Sequence, residues 1–218
     1  MNSQSEEDYL KALYHLEMDF NAVSTNSIAD YLDMKPSSVT DMLKKLAEKK
    51  FINYQKYKGT SLSKKGKLIA LSIIRKHRLW ETFLVEKLGF GWDQVHTIAE
   101  QLEHIKSEEL IENLDNFLGN PKYDPHGDPI PSKDGNIEKM NQKILVELKA
   151  SQKGIITGVK KGTASLLNYL DKEKVKLGDS VKVIEILEFD RTYIIEINKR
   201  KLTLSEKICK NLLLETND

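Results

Sequence analysis

Apolar residues near the start of the chain recur every three or four positions, a spacing that predicts amphipathic helices. One such pattern begins after Ser5, the predicted helix cap, and a second covers residues 26–32. A third begins at Pro36, because proline is well tolerated in a first helical turn. Residues 51–63 then alternate about a Lys-Gly-Thr turn, which predicts a hairpin. Helix, tight turn, helix and hairpin together predict a winged helix-turn-helix.

Longer helical patterns follow the predicted hairpin. Residues 64–88 predict one long helix, and further helices are predicted over 91–105 and 108–118. Four of the five prolines then fall between residues 120 and 135, which indicates an ordered loop or a linker. The apolar stripes of these helices are typical of a two-fold dimer interface. They consist of Leu79, Phe83, Leu84, Leu110, Leu114 and Phe117.

From residue 154 onward the chain breaks into short alternating segments around one short helical stretch at 164–170, which predicts a small SH3-like β-barrel. The predicted fold class is therefore mainly α with small β parts. We expect a winged helix-turn-helix DNA-binding domain, an all-α dimerisation and metal-binding domain, a linker and an SH3-like β-barrel domain, over residues 1–72, 73–136, 137–152 and 153–218.

The amino-acid composition indicates in which cellular compartment the protein is expected. With 39% hydrophobic and 31% charged residues, the chain is predicted to form real cores, and no apolar run is long enough to span a bilayer. The single cysteine, Cys209, excludes an internal disulfide and a thiolate zinc cluster. Because no signal-peptide pattern is recognisable either, we expect a cytoplasmic protein without a membrane partner.

The net charge of +1 conceals a strong asymmetry. Residues 21–70 contain ten lysines and four acidic residues, whereas residues 81–120 contain two lysines and nine acidic residues. A basic block beside an acidic block indicates a polyanion-binding surface and a cation-binding surface. Double-stranded DNA is the expected polyanion, and a plain three-helix domain with an ordinary hairpin is the alternative. The predicted DNA contacts are Lys35, Pro36, Ser37, Ser38, Thr40, Lys44 and, on the hairpin, Lys58.

Histidines and carboxylates recur at helical spacing within the acidic block. Four of them share one face of the predicted helix, at relative positions 0, 4, 7 and 8: His96, Glu100, Glu103 and His104. Clustered carboxylates repel one another unless a positive charge lies among them, and a divalent cation supplies one. A solvated polar face is the alternative. His77 and Glu81, four residues apart, form another ligand-competent pair.

Five segments carry a wider resemblance. They are Glu7-Asp8-Tyr9-Leu10, Pro36-Ser37-Ser38-Val39-Thr40, Arg75-Lys76-His77-Arg78-Leu79, Glu100-Gln101-Leu102-Glu103-His104 and Asp124-Pro125-His126-Gly127. In this order they resemble the diphtheria toxin repressor family of metal-dependent transcriptional regulators, particularly its manganese-responsive, three-domain members. The resemblance covers nearly the whole chain. It implies a homodimeric DNA-binding regulator with an FeoA-like last domain, and not an enzyme.

The same resemblance implies two metal sites. The primary site maps to Asp8, Glu100, Glu103 and His104, and the second site maps to His77, Glu81 and His96, with Asp124 and His126 as further ligands. Oxygen ligands at Asp8 and Glu100, where iron-sensing relatives typically have methionine and cysteine, favour Mn(II), with Fe(II) as the alternative. At Lys11 and His96 the chain departs from the two-domain manganese regulators, so a hybrid second site is expected.

The predicted function is a Mn(II)-activated repressor of metal uptake genes. In this hypothesis a cation bound by Asp8 and by the Glu100–His104 segment ties the DNA-binding domain to the dimerisation helices. Two recognition helices would then lie about 34 Å apart on operator DNA. The alternatives are an iron-responsive repressor of the same family, a winged-helix regulator controlled by an organic ligand or partner through the C-terminal domain, and a binuclear metallohydrolase.

Overall fold

The computed structural model describes residues 2–20, 22–55, 58–91, 94–137, 142–160 and 163–216. The predicted hairpin and helix also include residues 56, 57, 92 and 93, which lie outside the described residues. The chain forms two compact units, one of residues 1–77, 100–108 and 131–136 and the other of residues 78–99, 109–130 and 137–218. The domain boundaries predicted after residues 72, 136 and 152 stay predictions.

Helices dominate the first half of the chain and strands the second. The α-helices are α1 (Gln4–Leu16), α2 (Thr25–Leu32), α3 (Pro36–Glu48), α4 (Lys64–Leu88), α5 (Val95–Leu102), α6 (Glu108–Phe117), α7 (Ala164–Lys172) and α8 (Glu206–Cys209). The strands are β1 (Ile52–Gln55), β2 (Gly59–Leu62), β3 (Gln142–Ile144), β4 (Lys153–Val159), β5 (Ser180–Leu187), β6 (Thr192–Ile197), β7 (Arg200–Leu204) and β8 (Leu212–Glu215). A membrane-crossing helix would have to be longer and more apolar than any helix that the structure describes.

The first unit contains the predicted winged helix-turn-helix. Between α2 and α3, Asp33 adopts a left-handed backbone conformation (φ 51°), which makes the tight turn. Strands β1 and β2 pair antiparallel from Ile52–Leu62 to Gln55–Gly59 and form the wing. The helices contribute fully buried apolar side chains to the core: Leu10, Leu13, Ile28, Val39, Leu43 and Leu46. The periodicity of the sequence therefore predicted this part of the fold correctly.

Helix α1 begins two residues earlier than predicted, because Ser3 and not Ser5 is its N-cap. The Oγ atom of Ser3 accepts a hydrogen bond from the backbone N–H of Glu6 at 3.3 Å. In return, Glu6 Oε2 accepts one from the backbone N–H of Ser3 at 3.1 Å. This reciprocal capping box satisfies two backbone donors at once, which stabilises the earlier start.

Helix α5 is shorter than predicted and ends at Leu102, so that Glu103 and His104 lie in the turn behind it. The backbone N–H of Ile105 donates to the carbonyl of Leu102 at 3.1 Å. Bonds between residues three apart tighten and terminate helices. The single helical face predicted for four metal-ligating side chains is therefore wrong for Glu103 and His104, whose positions are determined by the turn.

The apolar stripes predicted for a dimer interface divide into a buried part and an exposed part. The buried part belongs to a core cluster of the second unit that consists of Leu79, Ile111, Leu114 and Ile130. On α6, by contrast, Leu110 is 42% exposed and Phe117 is 64% exposed. Leu79 and Leu114 therefore stabilise the chain itself, and the exposed side chains are the ones left for contact with another molecule.

The C-terminal part of the second unit is an antiparallel sheet with the strand order β3-β8-β4-β5-β6-β7. Buried residues alternate along β5 and β6, as expected for strands with one face against a core. The SH3-like fold class is confirmed. Among the strands that the structure describes, however, the two edge strands β3 and β7 do not pair with each other, so the sheet is not closed into a complete barrel.

Residues 142–148 contribute to this sheet, although the sequence assigned them to a linker. Gln142 pairs with Glu215 and Ile144 pairs with Leu213 across β3 and β8. Leu145 and Leu148 lie in the core of the sheet. A strand of three residues is too short to display an alternating pattern, which explains why periodicity does not reveal it.

Glu6 connects α1 to the second helix of the helix-turn-helix. Its Oε1 atom lies 3.0 Å from Lys45 Nζ and 2.6 Å from Lys49 Nζ at the C-terminal end of α3. Burial alone would raise the pKa of Glu6, but the hydrogen bonds from Lys49, Lys45 and Ser3 outweigh it and lower the pKa to about 2. The carboxylate is therefore ionised, and it fixes the position of α3 against α1.

We expect Glu6→Gln to lower the free energy of unfolding by about 2 kcal/mol at pH 7, because it removes the charge that Lys45 and Lys49 neutralise. The folded-state pKa of about 2 lies below the ordinary value of 4.5. The stabilisation is therefore complete above pH 4.5 and is lost as the pH falls towards 2. Urea unfolding between pH 7 and pH 3 measures this difference, with the exposed Glu48→Gln as control. A difference that stays constant over this pH range would contradict the assignment.

Candidate metal centre

Five of the nine predicted metal ligands lie in the first unit, on three helices and one turn. Asp8 is on α1, His77 is on α4, Glu100 is in the last turn of α5, and Glu103 and His104 are in the turn that follows α5. Short-range spacing places the last three near one another. The contacts of these three residues with α1 and α4 join positions that are far apart in the sequence, so they depend on the tertiary fold.

His104 lies between two neighbouring carboxylates of α1. Its Nδ1 atom is 2.7 Å from Glu7 Oε2, and its Nε2 atom is 3.1 Å from Asp8 Oδ1. The same Nε2 atom is 3.7 Å from Glu103 Oε1. Glu7 therefore orients the ring and leaves Nε2 facing Asp8 and Glu103, which is the arrangement in which a metal-ligating histidine is oriented by a second carboxylate.

Asp8, Glu103 and His104 fit a divalent metal ion. Each offers one ligand atom, and the three atoms lie within 4.8 Å of one another. Two carboxylate oxygens and one imidazole nitrogen are ligands that Mn(II), Fe(II) and Zn(II) all accept. Because Asp8 comes from α1 and the other two come from the turn after α5, a bound ion would join these two segments of the chain.

Glu103 is the most enclosed carboxylate of this cluster, with no exposed surface. Its Oε2 atom lies 2.6 Å from His77 Nδ1. Lys11 Nζ donates to Oε1 and Oε2 of Glu103 at 2.8 and 2.7 Å and to Oε1 of Glu100 at 2.7 Å. His77, which the sequence grouped with the second site, therefore contacts a ligand of the predicted primary site.

The charges of the cluster balance one another. Burial alone would raise the pKa of Glu103, but the contacts with His77 and Lys11 lower it overall. Burial alone would lower the pKa of Lys11, and the attraction of Glu103 and Glu100 raises it overall. For Asp8, burial and the repulsion from Glu103 raise the pKa more than His104 and Lys11 lower it. Glu103 and Lys11 therefore form a charged pair at neutral pH.

The other four predicted ligands lie in the second unit. Glu81, Asp124 and His126 offer ligand atoms within 4.8 Å of one another. His126 Nδ1 is 3.7 Å from Glu81 Oε2, and His96 Nδ1 is 3.3 Å from Glu81 Oε1. Burial, together with repulsion from Asp128 and Glu81, raises the pKa of Asp124 to about 7. These donors suit a divalent ion, and an ion there would hold Asp124 in its ionised form.

The turn that carries Asp124 and His126 is fixed in two ways. Asp124 Oδ1 accepts hydrogen bonds from the backbone N–H groups of His126 at 2.8 Å and Asp128 at 2.9 Å. Gly127 (φ +87°) packs against β4 so closely that a Cβ atom there would lie 2.0 Å from the carbonyl oxygen of Thr157. The C-terminal sheet therefore supports the turn that presents these two side chains.

The predicted DNA contacts belong to α3 and to the hairpin, and most of them are exposed. Lys35 is the N-cap of α3, and Pro36, Ser37, Ser38 and Lys44 are exposed on that helix. Lys58 is exposed next to β2. The hydroxyl of Thr40 instead donates to the carbonyl of Pro36 at 2.9 Å. Apart from Thr40, this surface is available to phosphate groups and base edges.

The sequence does not predict the observed roles of two residues of the centre. In the sequence Glu7 is one position of a motif, and Lys11 is a departure from the two-domain manganese regulators. Both act through partners about 90 residues away: Glu7 contacts His104, and Lys11 contacts Glu100 and Glu103. The one signal in the sequence that could have placed Lys11 at the centre is its helical spacing, three residues after Asp8 and four after Glu7.

Three family models match consecutive parts of the chain. The N-terminal DNA-binding domain of the iron-dependent repressors matches residues 1–60, and their metal-binding and dimerisation domain matches residues 63–132. The FeoA domain matches residues 144–216. The HTH-type transcriptional regulator MntR of Oceanobacillus iheyensis is 34% identical over 124 residues, which cover 57% of this chain and 84% of that protein.

The chain belongs to the diphtheria toxin repressor family. Members of this family are metal-dependent transcriptional repressors and not enzymes, which removes the metallohydrolase alternative. The iron-dependent repressor IdeR of Mycobacterium tuberculosis is 33% identical over 125 residues, or 57% of this chain. The match spans about half of that protein, 54% of its length. A manganese-dependent transcriptional repressor solved in complex with manganese has a TM-score of 0.76 at 29% identity, over 97% of this chain and 99% of that chain.

For this member of the diphtheria toxin repressor family, we expect Glu103→Gln to lower the free energy of unfolding in EDTA by about 3 kcal/mol. The substitution leaves the ammonium of Lys11 buried without its main counter-charge, and breaking a buried ion pair is costly. Chemical denaturation of the metal-free protein measures the effect. Glu109→Gln, at an exposed position of α6, is the matched control and should change stability by less than about 0.5 kcal/mol. Equal stability of both variants would show that the pair contributes nothing.

Proposed function

We propose that this chain is a Mn(II)-activated, DNA-binding repressor of metal uptake genes that acts as a cytoplasmic homodimer. The observation that supports this most directly is the convergence of Asp8, from the first helix of the winged helix-turn-helix, with Glu103 and His104. A metal ion bound by these three side chains makes the position of α1 depend on the metal. A metal-responsive DNA-binding protein requires the position of a helix in its DNA-binding domain to depend on the metal, whereas an enzyme does not.

Mn(II) is the metal that we favour. Asp8 and Glu103 supply hard oxygen donors beside the imidazole of His104, and the described part of the cluster contains no sulfur ligand, which suits Mn(II) better than softer ions. The solved repressor described above as bound to manganese is similar in fold. Fe(II) is the alternative, because iron-dependent relatives match the same segments. We further propose that Glu81, Asp124 and His126, with His96 beside Glu81, hold a second ion.

The coupling between metal and DNA is proposed to run through α1. Glu7 and Asp8 contact His104 on one side of this helix, and Glu6 contacts Lys45 and Lys49 of α3. A bound cation neutralises the repulsion among the carboxylates. With Asp8 and His104 fixed, α1 and the attached α3 are held in one position. By thermodynamic linkage, metal binding and DNA binding then strengthen each other by the same factor.

The DNA surface is proposed to consist of the exposed residues of α3 and the wing lysine, as predicted from the sequence. In a homodimer, two copies of α3 would enter successive major grooves about 34 Å apart. The exposed Leu110 and Phe117 of α6 are the apolar residues that we propose for the dimer contact. They lie within the segment matched by the family's metal-binding and dimerisation domain.

We expect Mn(II) to raise the affinity for operator DNA by about 10-fold or more, which corresponds to a typical allosteric coupling energy. A palindromic duplex selected from random DNA in the presence of Mn(II) is the probe, and fluorescence anisotropy is the measurement. His104→Ala should remove the effect of Mn(II), because it removes the ligand that faces Asp8. Glu109→Gln should keep it. Equal affinity in Mn(II) and in EDTA would refute metal control, and Fe(II), Zn(II) and Co(II) under anaerobic conditions complete the comparison.

The proposed contact between the wing lysine Lys58 and a DNA phosphate is tested by the salt dependence of DNA binding. We expect Lys58→Gln to weaken binding to all duplexes about equally and to reduce the slope of log K against log salt by about 0.9, because one phosphate contact is lost. The same anisotropy assay at several salt concentrations measures the slope. Lys172→Gln, at an exposed position of α7, is the control and should leave it unchanged. A change of affinity for one sequence only would indicate base recognition instead.

A regulator controlled by an organic ligand is the second candidate, and a cavity favours it. The cavity has a volume of about 740 Å³ and lies in the second unit between the turn at 122–125 and the C-terminal sheet. Its lining includes Val85, Ile156 and Leu177 beside Lys122 and Lys176. This function predicts that His104→Ala leaves DNA binding intact, which is opposite to the outcome expected for metal control.

A further inference from the structure

Lys11 occupies a position within the carboxylate cluster that a cation would otherwise take. Its Nζ atom is surrounded by three carboxylate oxygens, two of Glu103 and one of Glu100, at 2.7–2.8 Å. The side chain of Lys11 is 12% exposed and that of Glu103 is fully buried. Bonds this short between charged groups in an enclosed site are strong and directional. The lysine is therefore a fixed part of the cluster and not a surface residue that happens to lie near it.

Glu103 presents its two oxygens to two different groups of partners. Oε1 faces Lys11 and lies 3.7 Å from Nε2 of His104, on the side of Asp8. Oε2 faces Lys11 and lies 2.6 Å from Nδ1 of His77. The first side is the donor set of the proposed metal ion. The second side, formed by Glu103 Oε2, Glu100 Oε1 and His77, is another set of hard oxygen and imidazole donors of the kind that divalent ions bind.

We propose that the ammonium group of Lys11 is a built-in cation that replaces a second divalent ion at this cluster, so that the cluster binds one metal ion and not two. This inference rests on the proposed function, because it takes Asp8, Glu103 and His104 as the ligands of the one ion. A charged lysine has three N–H donors and no acceptor. It neutralises Glu100 and Glu103 without coordinating a metal, and it blocks the set on the His77 side.

Lys11 also affects the metal-free protein. Glu100 and Glu103 would repel each other if no cation were present. Lys11 offsets this repulsion and connects α1 to Glu100 in the last turn of α5 and to Glu103 in the turn after it by three hydrogen bonds. The metal then contributes only the remaining contact, that of Asp8 and Glu103 with His104. A single ion therefore completes a cluster that is already partly assembled.

The number of metal ions bound per chain tests the role of Lys11 directly. All variants are made in a parent protein that carries Asp124→Asn and His126→Ala, which remove two proposed ligands of the ion in the second unit. After equilibrium dialysis against Mn(II), elemental analysis should give one ion per chain, and electron paramagnetic resonance should show an isolated Mn(II) ion. Lys11→Glu in this parent should gain one ion per chain and show an exchange-coupled pair. Lys11→Arg, which keeps the cation, should stay at one ion, and so should Lys201→Glu, an equal charge change at an exposed position of β7.

Lys11→Gln removes the charge without adding a ligand, and it provides the second variant if Lys11→Glu does not fold. It should also gain a second ion, with weaker affinity. The inference is overturned if the parent binds two ions or shows an exchange-coupled pair. It is also overturned if Lys11→Glu and Lys11→Gln, wherever they fold, still bind one ion per chain. His104→Ala in the parent tests the proposed function separately. If the parent's ion remains after His104→Ala, the ligand assignment under the proposed function is wrong, whatever the Lys11 variants show.

Discussion

The first unit depends on the solution to one electrostatic problem, the burial of the Glu103 carboxylate. A buried charge is tolerated only when it is paired and hydrogen-bonded. Glu103 receives Lys11 on both oxygens and His77 on one of them. These partners come from α1 and α4, so the pairing of one carboxylate brings three distant parts of the chain together. The position of the whole candidate centre follows from this pairing.

Four charged residues in the first two turns of α1 contact other parts of the chain. Glu6 contacts α3, Glu7 and Asp8 contact His104, and Lys11 contacts Glu100 and Glu103. Helix α1 therefore contacts the recognition helix on one side and the candidate metal-binding turn on another. These contacts make α1 the element on which the proposed coupling depends, and the coupling itself requires that metal and DNA both favour one position of α1.

Features that depend on local spacing could be predicted from the sequence, and features that depend on distant contacts could not. The helix-turn-helix and wing were predictable, because periodicity and turn residues such as Pro36 act over a few positions. The roles of Glu7 and Lys11 were not, since they depend on contacts across about 90 residues. The end of α5 at Leu102 was missed because the apolar pattern continues to Ile105 although the hydrogen bonding does not. Helical spacing indicated the candidate ligands between residues 77 and 104. Asp8, Asp124 and His126 instead came from a family resemblance, which carries long-range information that a single periodic pattern lacks.

The most direct test of the account is the location of the metal. A crystal structure of the protein with Mn(II), with anomalous scattering recorded at the manganese edge, gives that location without any assumption about DNA. The account predicts an anomalous peak at bonding distance from Asp8, Glu103 and His104 together, so that α1 and the turn after α5 share one ion. A peak bound by Glu103 and His104 with the Asp8 side chain turned into solvent would contradict it.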